Sequence, residues 1–132
     1  MKQILLVEDN AGDVLLIKQV LLETTWPMRL RVAMDGEQAL QVLAEPEYLP
    51  DLIILDLNIP KVSGLQLLEQ RKPTAPIVVF TSSSNPAERE RAKELGVREF
   101  VQKPIDFGEF SRVVMRIVKD WVRPDASGVA AE

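Results

Sequence analysis

Leu52, Ile53, Ile54 and Leu55 form an unbroken apolar run that stops abruptly at Asp56. No other feature constrains the fold as much. A strand without polar alternation must be covered on both faces, and a parallel sheet between two layers of helices meets that need. The rest of the chain repeats the theme. "QILLV" (3–7), "MRLRVA" (28–33), "DLIIL" (51–55), "PIVVF" (76–80) and "VREFVQ" (97–102) read as five short strands bounded by Gly, Pro or Asp. Helical patterns alternate with them over about 11–24, 36–45, 63–71, 86–95 and 107–122. Asn85-Pro86 reads as an N-cap followed by proline at the first helical position, and Gly96 as a C-terminal stop. The expected fold is therefore α/β, a doubly wound parallel sheet of five strands.

The chain has 132 residues, the size of one domain. Residues 1–122 are expected to form that domain, with 123–132 as a loose or partner-dependent tail and no output domain. Cysteine is absent, which removes disulfides and thiolate metal sites. Histidine is absent too, which removes the commonest general base and any phosphohistidine chemistry on this chain. A net charge of −4 speaks against general nucleic-acid binding, and no apolar run is long enough to span a bilayer. Without a signal peptide, the default location is the cytoplasm.

The polar residues at the strand ends carry the chemistry. Glu8 and Asp9 follow strand 1, Asp56 follows strand 3, Thr81 and Ser82 follow strand 4, and Lys103 follows strand 5. In open α/β sheets ligands bind outside the carboxyl ends of the strands, and right-handed crossovers bring these ends to one rim. Carboxylates about 4 Å apart repel by roughly 4 kcal/mol at an effective dielectric of 20. A hard divalent cation relieves this, and oxygen ligands alone suit Mg²⁺. A carboxylate beside Mg²⁺ can attack phosphorus to give an aspartyl phosphate. Lys103 can then hold phosphoryl oxygens, Thr81 can donate a hydrogen bond to one, and the turn after Asp56 frees the Asn58 backbone carbonyl for the metal.

"ILLVEDN", "VAMDGEQAL", "LIILDLNIPKVSG", "VVFTSS" and "FVQKPI", in this order and spacing, resemble the receiver domain of two-component response regulators over residues 2–122. The resemblance implies the strand order 2-1-3-4-5. It implies Asp56 as phosphoacceptor, Asp9 as direct Mg²⁺ ligand, Glu8 as a ligand through water, and Asn58 as a ligand through its carbonyl. It makes Thr81 the switch hydroxyl, Lys103 the phosphoryl-binding lysine and Phe100 the switch aromatic. Lys103-Pro104 resembles the family's cis peptide bond. Two positions depart from the common pattern: Glu8 stands where many members have Asp, and Ser82 where alanine or glycine is common. "VEDNAGDVLLIKQVLLE" and "RIVKDW" further resemble single-domain regulators paired with phytochrome-type histidine kinases.

Each residue taken singly has an ordinary reading: a solvated strand end for Glu8-Asp9, a turn cap for Asp56, a helix-capping loop for Thr81 to Ser84, a surface lysine, a core phenylalanine. Their joint occurrence favours the receiver. The expected function is a single-domain response regulator, not an enzyme in its own right, that accepts a phosphoryl group on Asp56 from a histidine kinase and signals by protein contact. A phosphorylation-independent docking module of the same fold is the alternative. A haloacid-dehalogenase type phosphohydrolase would want a second Asp where Asn58 stands, and a flavodoxin-like binder would want hydroxyls and glycines where "EDNAGD" stands.

The helix over 86–95 is polar nearly all round, with Ala92 and Leu95 as its apolar edge, so it can shift at modest cost. In the last helix Phe107, Phe110, Val114, Ile117 and Trp121 make the expected core stripe. Val113, Met115, Val118 and Val122 widen it, which predicts a homodimer or partner docking through the helix 4–strand 5–helix 5 face.

Overall fold

A computed structural model describes residues 1–71 and 73–122. The expected tail lies outside the described residues. The elements follow in strict alternation: β1 (Lys2–Val7), α1 (Ala11–Leu22), β2 (Met28–Ala33), α2 (Gly36–Leu43), β3 (Leu52–Leu55), α3 (Gly64–Gln70), β4 (Ile77–Thr81), α4 (Pro86–Glu94), β5 (Glu99–Gln102) and α5 (Phe107–Trp121). All strand pairs are parallel and the sheet order is β2-β1-β3-β4-β5, as expected.

Side chains on a strand alternate between faces, and this splits the core in two. Leu5, Val7, Ile53, Leu55 and Val79 pack against Ala39, Val42, Leu43, Leu67, Leu68 and Ala92 of α2, α3 and α4. Ile4, Leu6, Leu52, Ile54, Val78 and Phe80 pack against Val14, Ile17, Val20, Phe110, Val114 and Ile117 of α1 and α5. Every residue of β3 is buried, which is why "LIIL" has no polar position. Each fully buried side chain of this size contributes about 1.5–3 kcal/mol.

Every helix starts at the carboxyl rim of the sheet with a side-chain cap. Asn10, Asp35, Ser63, Asn85 and Asp106 accept from the backbone N–H of Asp13, Gln38, Gln66, Ala87 and Glu109. Ser63 and Gln66 complete a capping box. The β3–α3 loop is clamped to its neighbours by two glycines. A Cβ on Gly36 would lie 1.9 Å from the Val62 carbonyl oxygen, and one on Gly64 would lie 2.7 Å from the Leu57 Cα. Only a hydrogen at those positions lets the loop close over the end of β3.

Besides shifts of one or two residues at other element ends, the structure departs from the expectations in four places. β5 begins at Glu99, not residue 97, because the Val97 N–H bonds to the Ala92 carbonyl and finishes α4, with Gly96 at φ 93°. Phe107 is no part of the core stripe: it is the first residue of α5, beyond the last residue of β5, and is 73% exposed. Val118 and Val122, read as surplus apolar surface, are buried, because α5 covers α1 as well as the sheet. Val113 and Met115 are partly buried against the same group. Finally, every described peptide bond is trans, including Lys103–Pro104; trans is the more favourable isomer before proline by about 0.5–1 kcal/mol. Among the described residues no helix is long and apolar enough to cross a membrane.

Candidate functional site

The rim at the carboxyl ends of β1, β3 and β5 gathers charges that buried strands would otherwise exclude. The Glu8 N–H continues the β1–β2 ladder to the Ala33 carbonyl, and the Asp56 N–H continues the β3–β1 ladder to Val7. The Lys103 N–H bonds to the Thr81 carbonyl at 2.7 Å. The sheet backbone thus fixes three charged residues just beyond its last apolar layer.

Their side chains meet. Lys103 Nζ donates to Glu8 Oε1 at 2.7 Å, to Asp13 Oδ2 at 2.8 Å and to Asp56 Oδ2 at 2.9 Å. Glu8 Oε2 accepts from the Asn10 N–H, and Asp56 Oδ1 accepts from the Asn58 N–H, both at 3.0 Å. Glu8 and Asp56 are buried and Asp9 is exposed. One carboxylate oxygen from each of Glu8, Asp9 and Asp56 lies within 4.8 Å of the others. Burial is the largest influence on Glu8 and pushes its carboxyl up to about 7, against the pull of Lys103 and the Asn10 N–H. Burial pulls the Lys103 ammonium down, but its bonds to Asp13, Glu8 and Asp56 outweigh this and the net shift is upward. Lys103 therefore stays charged at any ordinary pH.

The donors fit a hard divalent cation. They are all oxygens, three carboxylates converge, and one ammonium leaves the cluster with excess negative charge. Asp9 and Asn58 stand at the exposed mouth.

Thr81 is fully buried at the end of β4, and its Oγ1 accepts from the Ser83 N–H at 3.4 Å, a weak bond. Ser82 next to it is exposed. Phe100 lies one strand further out, half-buried against the α2–α3–α4 side of the core. The Arg89 guanidinium of α4 sits 5.4 Å from its ring centroid. Of the residues expected at the site, Glu8, Asp9, Asp56 and Lys103 cluster, Asn58 and Thr81 border the cluster, and Phe100 stands apart.

Asp13 is the member that sequence reasoning missed. It is the third residue of α1, and its backbone N–H bonds to the Asn10 side chain. An acid there also reads as a favourable charge at a helix N-terminus, so its spacing raised no question. The signal was its place in the first turn of a helix starting at the same rim. Two cavities of about 430 and 450 Å³ lie elsewhere, one lined by Leu43, Tyr48 and Arg71 and the other by Lys18, Trp26 and Met28. Neither includes a member of the charged cluster.

Comparison with known proteins agrees with this geometry. A family model described as "Response regulator receiver domain" matches residues 4–115. The response regulator Rcp1 of Synechocystis sp. is 34% identical, covering 92% of this chain and 89% of its own. A probable methanogenesis regulatory protein, FilR2 of Methanothrix harundinacea, is 34% identical, covering 90% and 83%. The phosphorylated cyanobacterial phytochrome response regulator RcpA superposes with a TM-score of 0.88 at 32% identity, covering 92% of this chain and 94% of its own. The Mn²⁺-bound form of Rcp1 superposes with a TM-score of 0.87 at 32% identity, covering 95% and 97%. The alternating fold, the acidic rim and these matches have one reading: the chain belongs to the response regulator receiver domain family.

Proposed function

We propose that the protein accepts a phosphoryl group on Asp56 from a histidine kinase and passes the signal on through a protein–protein contact. The observation that carries this reading is the setting of Asp56. Its carboxylate ends a fully buried strand, with Asn58 N–H on one oxygen and Lys103 on the other, inside an acidic rim. A nucleophile so held does not need to be reoriented for attack.

Transfer forms a bond from an Asp56 oxygen to phosphorus and breaks the bond from phosphorus to the donor's imidazole nitrogen, which keeps the electron pair. Lys103 donates to one phosphoryl oxygen, and the Thr81 hydroxyl donates to another. Mg²⁺ held by Glu8, Asp9, Asp56 and the Asn58 carbonyl would supply the positive charge that a dianionic phosphoryl group requires. The Mn²⁺-bound form of Rcp1 supports a divalent ion here.

Once drawn to the phosphoryl group, Thr81 leaves space that Phe100 fills. Of α4, only Ala92 is buried, so that helix follows at low cost. The α4–β5–α5 face is the proposed output, as a homodimer or a docking site for a downstream protein. The kinase is of the phytochrome type, by likeness to RcpA, and the cytoplasm is the matching location. Residues 1–122 act as the receiver unit.

The test is intact-mass analysis after incubation with acetyl phosphate, with and without Mg²⁺, beside Asp56→Asn. A single phosphoryl adduct that needs Mg²⁺ and is lost in the variant supports the reading; an adduct that survives in Asp56→Asn sinks it. Sedimentation velocity on the same samples tests the homodimer, and a monomer at high concentration in both states removes it.

A further inference from the structure

We propose that Asp13 is a positioning residue that competes with an incoming phosphoryl group for Lys103 and so slows phosphorylation of Asp56. This rests on Asp56 being the phosphoacceptor. An ammonium has three N–H donors and no acceptor. In Lys103 each donor meets a different carboxylate: Glu8 at 2.7 Å, Asp13 at 2.8 Å and Asp56 at 2.9 Å. A phosphoryl oxygen can bind Lys103 only where a carboxylate lets go.

The three carboxylates are not equivalent. Glu8 is 2% exposed at its side chain and tied by its second oxygen to the Asn10 N–H, and Asp56 is the nucleophile itself. Asp13 is 22% exposed, against 6% for Asp56, so water can solvate it once released. Its backbone stays fixed in α1 by the Asn10 cap. The bond to Asp13 is therefore the one exchanged with the substrate. Asp13 also adds a further negative charge beside a group that arrives with two. Charge and occupied donor act in the same direction, as a brake on acceptance.

With acetyl phosphate as donor, an Asp56 oxygen attacks phosphorus, the bond from phosphorus to the acetyl oxygen breaks, and acetate leaves with the electron pair. No proton is required. Asp13→Asn keeps the shape and an accepting oxygen but removes the charge; Asp13→Ala removes both; Asp13→Glu keeps the charge.

The experiment measures the second-order rate of phosphorylation by acetyl phosphate at saturating Mg²⁺ on the full chain. It compares wild type, the three Asp13 variants and Asp56→Asn, with thermal melts to confirm folding. Asp13→Asn and Asp13→Ala are expected to react about tenfold faster, the factor that one charge-assisted hydrogen bond is worth. Asp13→Glu is expected to return to the wild-type rate. A merely structural role would slow the reaction or leave it alone, and would not be restored by Glu. Equal or slower rates in both the Asn and Ala variants overturn the proposal while leaving Asp56 as acceptor. A fast Asp13→Glu overturns it too. Wild type that takes no phosphoryl group from acetyl phosphate sinks the acceptor reading and this inference with it.

Discussion

Removing the cation from the acidic rim is the most informative perturbation of stability. In Lys103→Met the aliphatic stem keeps its packing and the ammonium is lost. Three carboxylates whose oxygens lay 2.7, 2.8 and 2.9 Å from the Lys103 Nζ then face one another without a counter-ion. At an effective dielectric of 20, each lost attraction is worth roughly 6 kcal/mol before solvation is counted. Restoring the ammonium's solvation in the unfolded chain, and proton uptake by the carboxylates, cancel most of that sum. The Lys103 side chain is only 10% exposed, so screening is slight, and the expected net loss is about 3–5 kcal/mol at pH 8 without divalent ions.

The pH dependence follows from Glu8, already raised to about 7 by burial. A carboxyl whose folded pKa exceeds its unfolded value favours folding below the unfolded value, and that benefit fades as pH rises through the folded value. Without Lys103 the folded value rises further. The variant therefore loses more stability between pH 5 and pH 8 than wild type does, and the gap narrows toward acid. Urea melts at pH 5, 6.5 and 8 in the presence of a chelator measure this. A gap under about 1 kcal/mol, or one indifferent to pH, would refute the argument that Lys103 is the neutralising charge of the rim.

Further outcomes follow from single contacts. Added Mg²⁺ should stabilise the fold by an amount that grows with the logarithm of its concentration, about 2.7 kcal/mol at a hundredfold excess over its dissociation constant, and so raise the melting temperature; calorimetric scans of Asp9→Ala should show most of that gain lost. The Tyr48 hydroxyl is buried without a hydrogen-bond partner, so Tyr48→Phe should stabilise by about 1–2 kcal/mol in urea melts, and a loss would mean that the hydroxyl is satisfied in solution. Gly64→Ala would press a methyl into the Leu57 backbone and should cost at least about 1–3 kcal/mol while slowing phosphorylation by displacing Asp56; an unchanged phosphorylation rate would separate the loop from the chemistry.

The sheet was legible because its strands are buried on both faces. "LIIL" and "PIVVF" have no polar position to confuse with another element, and β3 and β4 are buried throughout. Their ends were legible because a charge at the edge of a core must be explained, which singled out Glu8, Asp56 and Lys103. Helix boundaries were read one or two residues long, since terminal residues take either conformation at little cost. Phe107 misled because helical periodicity carries no information on where the sheet beneath it stops. Val118 and Val122 misled because the pattern cannot show that α5 also lies against α1. Asp13 stayed hidden for a different reason. Its role depends on a partner 90 residues away, and its local position already had a sufficient explanation.

The bond from Lys103 to Glu8 spans 95 residues of chain, and this sets an order on how the protein can be made. During synthesis the carboxylates that follow β1 and β3, and Asp13 of α1, emerge while Lys103 is still unsynthesised. A nascent chain that ends before Lys103 has only a divalent ion to offset the rim's repulsion, and it also lacks α5, which packs on the same side of the sheet as α1. Early sheet formation is thereby penalised until the last strand arrives, and folding is deferred to a nearly complete chain. The cation that neutralises the buried rim thus also ties the stability of the first strands to the arrival of the last.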